Sequence, residues 1–453
     1  MPGHWAARCH HRPAARFAIV VAMLFVQPVV VCTNAQSSPA SRVDSGGGIR
    51  IDSLLDLATV VARAVAASPA ATQSGQGVRS AQSEVRVARG SYLPSLTATS
   101  SALRSDVVNA TTPGASAASS YAAGLSSSLE VFTGGRRSAD RERSEADLGA
   151  AQAVDVAQRY QVTLIAERAF YETLRGGDLL GVAQARVSRA EQGVRYAQDR
   201  VRAGTATRSD ELRARLELTT GRQQLIAARD TLQSAAFALG RLVGADGPVG
   251  ARRMASLETR GLALTDSEIV RLAVAEAPAV RAAQASARAT EAATRAARTL
   301  YVPDVRVTGG YAWANQSLLI GATRPGWQLA VGTSFPLFNG FQREDVIARS
   351  DAQAAVARAA SSDATRFIRA ESARLLSGLK FAEQSIALAS EAVTAAREDA
   401  RVQTERYRAG ISTSLDRLTS ELAVTQAELG LVAARYNYQV TRATLEALIG
   451  RPL

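Results

Sequence analysis

The residue types that perform covalent or metal chemistry are few and crowd one end of the chain. Both cysteines, Cys9 and Cys32, and all three histidines, His4, His10 and His11, lie in the first 32 residues. Beyond Cys32 there is no thiolate nucleophile, no Ser-His-Asp triad, no zinc, haem or iron–sulfur ligand set, and no disulfide. The only lysine is Lys380. Carboxylate, tyrosine and lysine chemistry remains. A hydrolase would need a carboxylate pair in a cleft, and the repeated helical pattern offers none. No cofactor and no metal site is implied.

The segment that holds those residues is removable. Arg8, Arg12 and Arg16 precede an apolar run from Phe17 to Cys32, and no acid accompanies them. Thr33-Asn34-Ala35 gives a small-residue cleavage site between Ala35 and Gln36, the layout of a secretory signal peptide over 1–35. An uncleaved anchor and acylation at Cys32 are the alternatives. Gln27-Pro28 interrupts the run, and Val31 stands where a small residue is expected before an acylated cysteine. Cleavage takes three arginines away, and the charge falls from +12 to +9. No later stretch approaches the roughly 18 apolar residues of a membrane helix. The basic balance does not point to nucleic acid, because the arginines are interspersed with Glu and Asp and carry no aromatic interleaving.

The chain contains itself twice. Phe132-Thr133-Gly134, Arg202-Ala203-Gly204, Asp210 and Leu242-Val243-Gly244 recur 206 residues later as Phe338-Asn339-Gly340, Arg408-Ala409-Gly410, Asp416 and Leu448-Ile449-Gly450. Upstream the offset is 209, with Leu93-Pro94 recurring as Val302-Pro303. After a leader over 36–50, the first repeat covers 51–244. It has a helix near 69–91, a strand hairpin over 94–132, a long helix over 136–203 and a helix over 208–243. A linker covers 245–265. The second repeat, 266–450, has a helix over 278–300, a hairpin over 303–338, a long helix over 342–409 and a helix over 414–449. Gly176-Gly177 is expected to bend the first long helix.

The hairpins alternate with a period of two. Val305, Val307, Tyr311 and Trp313 share one face; Trp327, Leu329, Val331, Phe335 and Leu337 share another. Trp313 and Trp327 suit a membrane–water interface, with an ordinary hairpin core as the alternative. Strands in lipid must close, and eight is about the minimum. Four strands per chain therefore require several chains: two give eight strands, three give twelve. The long helices, at about 1.5 Å per residue, reach roughly 100 Å. Helices of that length need partners along them.

These residues together resemble the TolC-type outer-membrane efflux proteins (outer membrane factors), over about 52–450. The most specific stretch is Glu405-Arg406-Tyr407-Arg408-Ala409-Gly410-Ile411-Ser412-Thr413-Ser414-Leu415-Asp416, similar to that family's periplasmic turn. Tyr301-Val302-Pro303 and Phe335-Pro336-Leu337-Phe338-Asn339-Gly340 fit the family's strand ends. The resemblance implies a mainly α chain with membrane β-strands. Duplicated long-helix hairpins would form an α-helical tunnel, and a homotrimer would share a twelve-stranded barrel in outer-membrane lipid. It implies a periplasmic adaptor and an inner-membrane pump as partners, and no catalysis.

The resemblance also assigns residues. Asp416 would ring the narrow periplasmic gate, with Thr419 standing where the family has a second aspartate. Tyr407 would bond Asp210 as a latch, while a basic latch position reads Ser412 here. Helix capping is the alternative role of both aspartates. Gly204 and Gly410 need left-handed backbone, and with Arg202 and Arg408 their turns would meet the adaptor. The arginines otherwise complement helix dipoles. Efflux, metal export and type I protein secretion share such a duct. A periplasmic coiled-coil scaffold without a barrel is the reading from a different class.

Overall fold

The computed structural model describes residues 54–107, 116–253, 262–315 and 326–453. The signal segment, Ala35, Gln36 and the leader lie outside the described residues, as does the middle of the linker.

A two-residue strand β1 (Leu54–Leu55) pairs in parallel with β4 (Gly250–Ala251). Between them run α1 (Leu57–Ala67), α2 (Pro69–Gly90), β2 (Ser95–Val107), β3 (Ser116–Phe132), α3 (Arg136–Arg202) and α4 (Arg208–Leu242). The second repeat follows as α5 (Asp266–Glu276), α6 (Pro278–Arg298), a 3-10 turn (Thr299–Tyr301), β5 (Asp304–Asn315), β6 (Gly326–Ser334), α7 (Gln342–Arg408) and α8 (Ser414–Ile449). The long helices α3 and α7 have 67 residues each.

Two helices, not one, precede each strand hairpin. Pro69 and Pro278 occupy the first position of α2 and α6. A proline there lacks the N–H and steers its predecessor away from helical backbone, so α1 and α5 end at Ala67 and Glu276, before the non-helical Ser68 and Ala277. Ser68 then accepts from the Ala71 N–H at 3.3 Å and caps α2.

The four long strands form one antiparallel sheet in the order β2-β3-β5-β6. β3 joins β5 across the repeats, with Leu125 opposite Tyr311 and Leu129 opposite Val307. Tyr311 faces Trp327, and Val307 faces Val331. β6 ends at Ser334, so Phe335 and Leu337 lie beyond the strand rather than in it. Pro336 has no donor for a ladder, and among the described residues β6 has no strand on its outer side.

α3 runs through Gly176-Gly177 as one continuous helix. Gly176 is buried where a Cβ would stand 3.1 Å from the Leu232 Cα, so its role is close approach of α4. Gly177 faces open space. The core sits where the helices of both repeats converge, on Phe170, Leu239, Val60 and Tyr436 at one side and Ile269, Val280, Ile368 and Leu445 at the other.

Candidate gate at the helical tip and membrane sheet

Each long helix ends in the same turn. Gly204 has φ +72° and Gly410 has φ +78°, the left-handed conformation that a side chain resists. Thr207 and Thr413 then start α4 and α8 as N-caps with full capping boxes. In the first, the Thr207 hydroxyl and N–H donate to Asp210 Oδ2 at 2.8 and 3.0 Å. In the second, the Thr413 hydroxyl and N–H donate to Asp416 Oδ2 at 2.7 and 3.0 Å. Ser412 adds a third bond to the same oxygen at 3.3 Å. Both carboxyls are held below the ordinary aspartate value. The leading cause is the bond from Ser414 for Asp210 and the bond from Thr413 for Asp416. Capping thus accounts for the local geometry of both aspartates, and Asp416 stays exposed and ionised.

The hydrogen bond expected between Tyr407 and Asp210 is not made. Asp210 Oδ1 accepts instead from the Ser414 hydroxyl at 2.5 Å. The Tyr407 side chain is 2% exposed, and its hydroxyl is buried without a hydrogen-bond partner. The ring is engaged by its faces. The Arg200 guanidinium lies 4.6 Å from its centroid and that of Arg417 lies 5.5 Å away. Arg200 also donates to the Tyr407 and Thr205 carbonyls, both at 2.9 Å, and so ties one turn to the other.

Arg202 pairs with Asp199 on the exposed surface. Arg408 pairs with Glu405 at 2.7 Å, donates to the Tyr196 hydroxyl, and stacks on that ring at 4.4 Å. These arginines differ: Arg202 is 78% exposed by side chain, Arg408 packs across the repeats. An open pocket of about 450 Å³ lies among Arg200, Asp210, Arg213, Tyr407 and Ser414.

Arg200, Tyr196, Gly193, Ser414 and Arg417 escaped the sequence reading. For four of them the available signal was departure from the repeat; Arg200 matches Arg406 and gave none. Gly193, Tyr196, Arg208 and Glu211 correspond at 206 residues to Asp399, Val402, Ser414 and Arg417.

At the other end the sheet has two chemically distinct faces. One bears Leu96, Leu125, Tyr311, Trp327, Leu329 and Val331, all exposed. Trp313 is on this face, and Trp327 is 78% exposed. The opposite face carries Thr97, Ser126, Ser128, Thr308, Gly310 and Gln328. Among the described residues no helix is long and apolar enough to cross a membrane.

Duplicated helical hairpins carrying an antiparallel sheet with one exposed apolar face define an outer-membrane channel with a helical extension. The chain belongs to the outer membrane efflux protein family, whose model matches residues 60–245 and 269–451. Solved structures share the fold. CusC aligns with a TM-score of 0.77 at 17% identity, covering 87% of this chain and 92% of that one. VceC of Vibrio cholerae aligns at 0.73 and 22%, covering 87% and 96%. CmeC of Campylobacter jejuni, an outer membrane channel, aligns at 0.76 and 16%, covering 87% and 85%. A search of curated proteins found no significant match.

Proposed function

We propose that three copies of this chain assemble into the exit duct of a tripartite efflux system. The observation that carries this reading is the sheet. Among the described residues it has two free edges, β2 and β6, and an exposed apolar face. Lipid does not satisfy an open edge, so copies must close it, and three supply twelve strands. The polar face then lines a lumen. The helices, roughly 100 Å long, extend that lumen through the periplasm.

In this reading the turns at Gly204 and Gly410, with Arg202 and Arg408, dock a periplasmic adaptor, and an inner-membrane pump delivers cargo through it. Trp313 and Trp327 sit at the outer membrane–water interface. Asp416 supplies one carboxylate per chain to a ring at the periplasmic mouth. With Thr419 in place of a second acid, a single ring sets cation preference there.

The first test is the mass of the detergent-extracted membrane species, corrected for bound detergent. Three chains per particle from an outer-membrane fraction support the duct. A water-soluble monomer or dimer removes the barrel and leaves a coiled-coil scaffold.

A further inference from the structure

Four residues of α3 lie on one face, spaced by four, three and four: Arg189, Gly193, Tyr196 and Arg200. Each meets the second repeat. Arg189 donates to Thr425 and Glu428, both at 3.3 Å. Gly193 stands against the Arg417 guanidinium. Tyr196 takes the hydrogen bond from Arg408, and Arg200 lies on Tyr407. A seam between long paired helices is ordinarily apolar. This one also carries cations, a carboxylate, aromatic faces and one glycine.

Several of its residues break the repeat, whereas Arg200 and Arg408 match Arg406 and Arg202. The counterparts of Arg189, Gly193 and Tyr196 are Ala395, Asp399 and Val402; those of Tyr407 and Arg417 are Val201 and Glu211. The seam is therefore a property of the junction between repeats, not of either hairpin.

We propose that the tip of the duct is positioned by Tyr407 clamped between Arg200 and Arg417, and not by any bond from the Tyr407 hydroxyl. This rests on the duct reading above. Three helices contribute: Arg200 from α3, Tyr407 from the end of α7, Arg417 from the first turns of α8. Arg417 is 3% exposed, and its charge is balanced by Glu421 one turn along the same helix. Its Nε is buried without a partner, so the guanidinium is held by the ring and the socket rather than by a full set of hydrogen bonds. The socket is Gly193, where a Cβ would lie 2.7 and 2.9 Å from the guanidinium Nη2 and Nη1. Cation–π attraction is strongest when both partners are out of water, as Tyr407 and Arg417 are here. Asp416 adjoins Arg417, so whatever fixes Arg417 fixes the start of α8 and the reach of the Asp416 carboxylate.

The experiment is single-channel conductance of the full-length protein in planar bilayers. Tyr407→Leu, Arg417→Met and Gly193→Ala each raise conductance severalfold. Tyr407→Phe, which keeps the ring and lacks the hydroxyl, rescues the closure lost in Tyr407→Leu. The proposal is overturned if Tyr407→Phe opens the channel as far as Tyr407→Leu does. It is equally overturned if Gly193→Ala and Arg417→Met conduct as wild type. Should Arg417→Met not assemble, Gly193→Ala and Arg200→Met decide the matter from outside the buried ion pair. A wild type that forms no pore overturns the duct, and the clamp's role with it; a conducting wild type with indifferent variants overturns the clamp alone.

Discussion

Asp210 and Ser414, 204 residues apart, share a 2.5 Å hydrogen bond that ties the turn of one repeat to the first turn of α8 in the other. The same carboxylate caps α4 through Thr207, so one side chain closes a helix and bridges the halves. Ser414→Ala removes the bridge and keeps the cap. A hydrogen bond to a charged group contributes about 1.5 to 3 kcal/mol, and partial exposure of Asp210 places this one at the lower end. Faster amide exchange confined to the start of α8 is the expected result. Exchange identical to wild type would show that the bridge is energetically idle.

The proposed Asp416 ring is read through block by a trivalent cation. Asp416→Asn weakens the block and lowers cation preference while keeping the Thr413 cap partly satisfied. The folded-state pKa of Asp416 lies below the ordinary 3.8 because Thr413 and Ser412 hydrogen-bond the ionised form. A depressed acid contributes stability above its unfolded pKa and loses it as pH falls through the folded one. Block is therefore constant from pH 7 to about 5 and disappears only below the usual carboxylate range. Loss of block near neutral pH would exclude Asp416 as its source.

Two adjacent glycines of α3 have opposite expectations. Gly177→Ala meets open space and stabilises by about 0.5 to 1 kcal/mol through helix propensity. Gly176→Ala drives a methyl toward the Leu232 backbone and destabilises by about 1 to 3 kcal/mol. Thermal unfolding midpoints that shift in opposite directions check the pair, and a common direction would contradict the packing described.

Glu167 of α3 is an acid in the wrong surroundings. Burial, and then the nearby Glu446 carboxylate, raise its pKa from 4.5 to about 7. The folded state binds the extra proton, so the penalty is absent below pH 4.5 and full above about pH 7. Glu167→Gln stabilises at pH 8 and has little effect at pH 4. A stability gain independent of pH would mean that the side chain's volume, not its charge, is at issue.

The two faces of the sheet differ in tolerance. Leu329→Arg places a charge on the apolar face and costs about 2 to 4 kcal/mol if that face meets lipid near the midplane. Gln328→Arg, one residue away and pointing oppositely, inserts normally. Heat-modifiable mobility of the membrane-extracted assembly reads both, and equal tolerance would remove the lipid assignment.

Much of this protein is written locally. The duplication, the left-handed glycines at 204 and 410, the prolines at 69 and 278 and the alternation of Val305, Val307, Tyr311 and Trp313 each follow from steric or periodic rules within a few residues. The helix and strand types follow from them, as does the expectation that several chains close a barrel if the hairpins span lipid. The tertiary structure alone decided which side chain meets which across 200 residues. It gave Asp210 to Ser414, turned the Tyr407 hydroxyl away from any partner, and set Arg417 into the space left by Gly193. It also made Gly176 a close contact with Leu232. These outcomes depend on how α3 rotates against α7 and α8, and a helix's own sequence limits its buried face without naming the residue opposite. Only packing in three dimensions makes that choice, because a close-packed interior admits one side chain at each position.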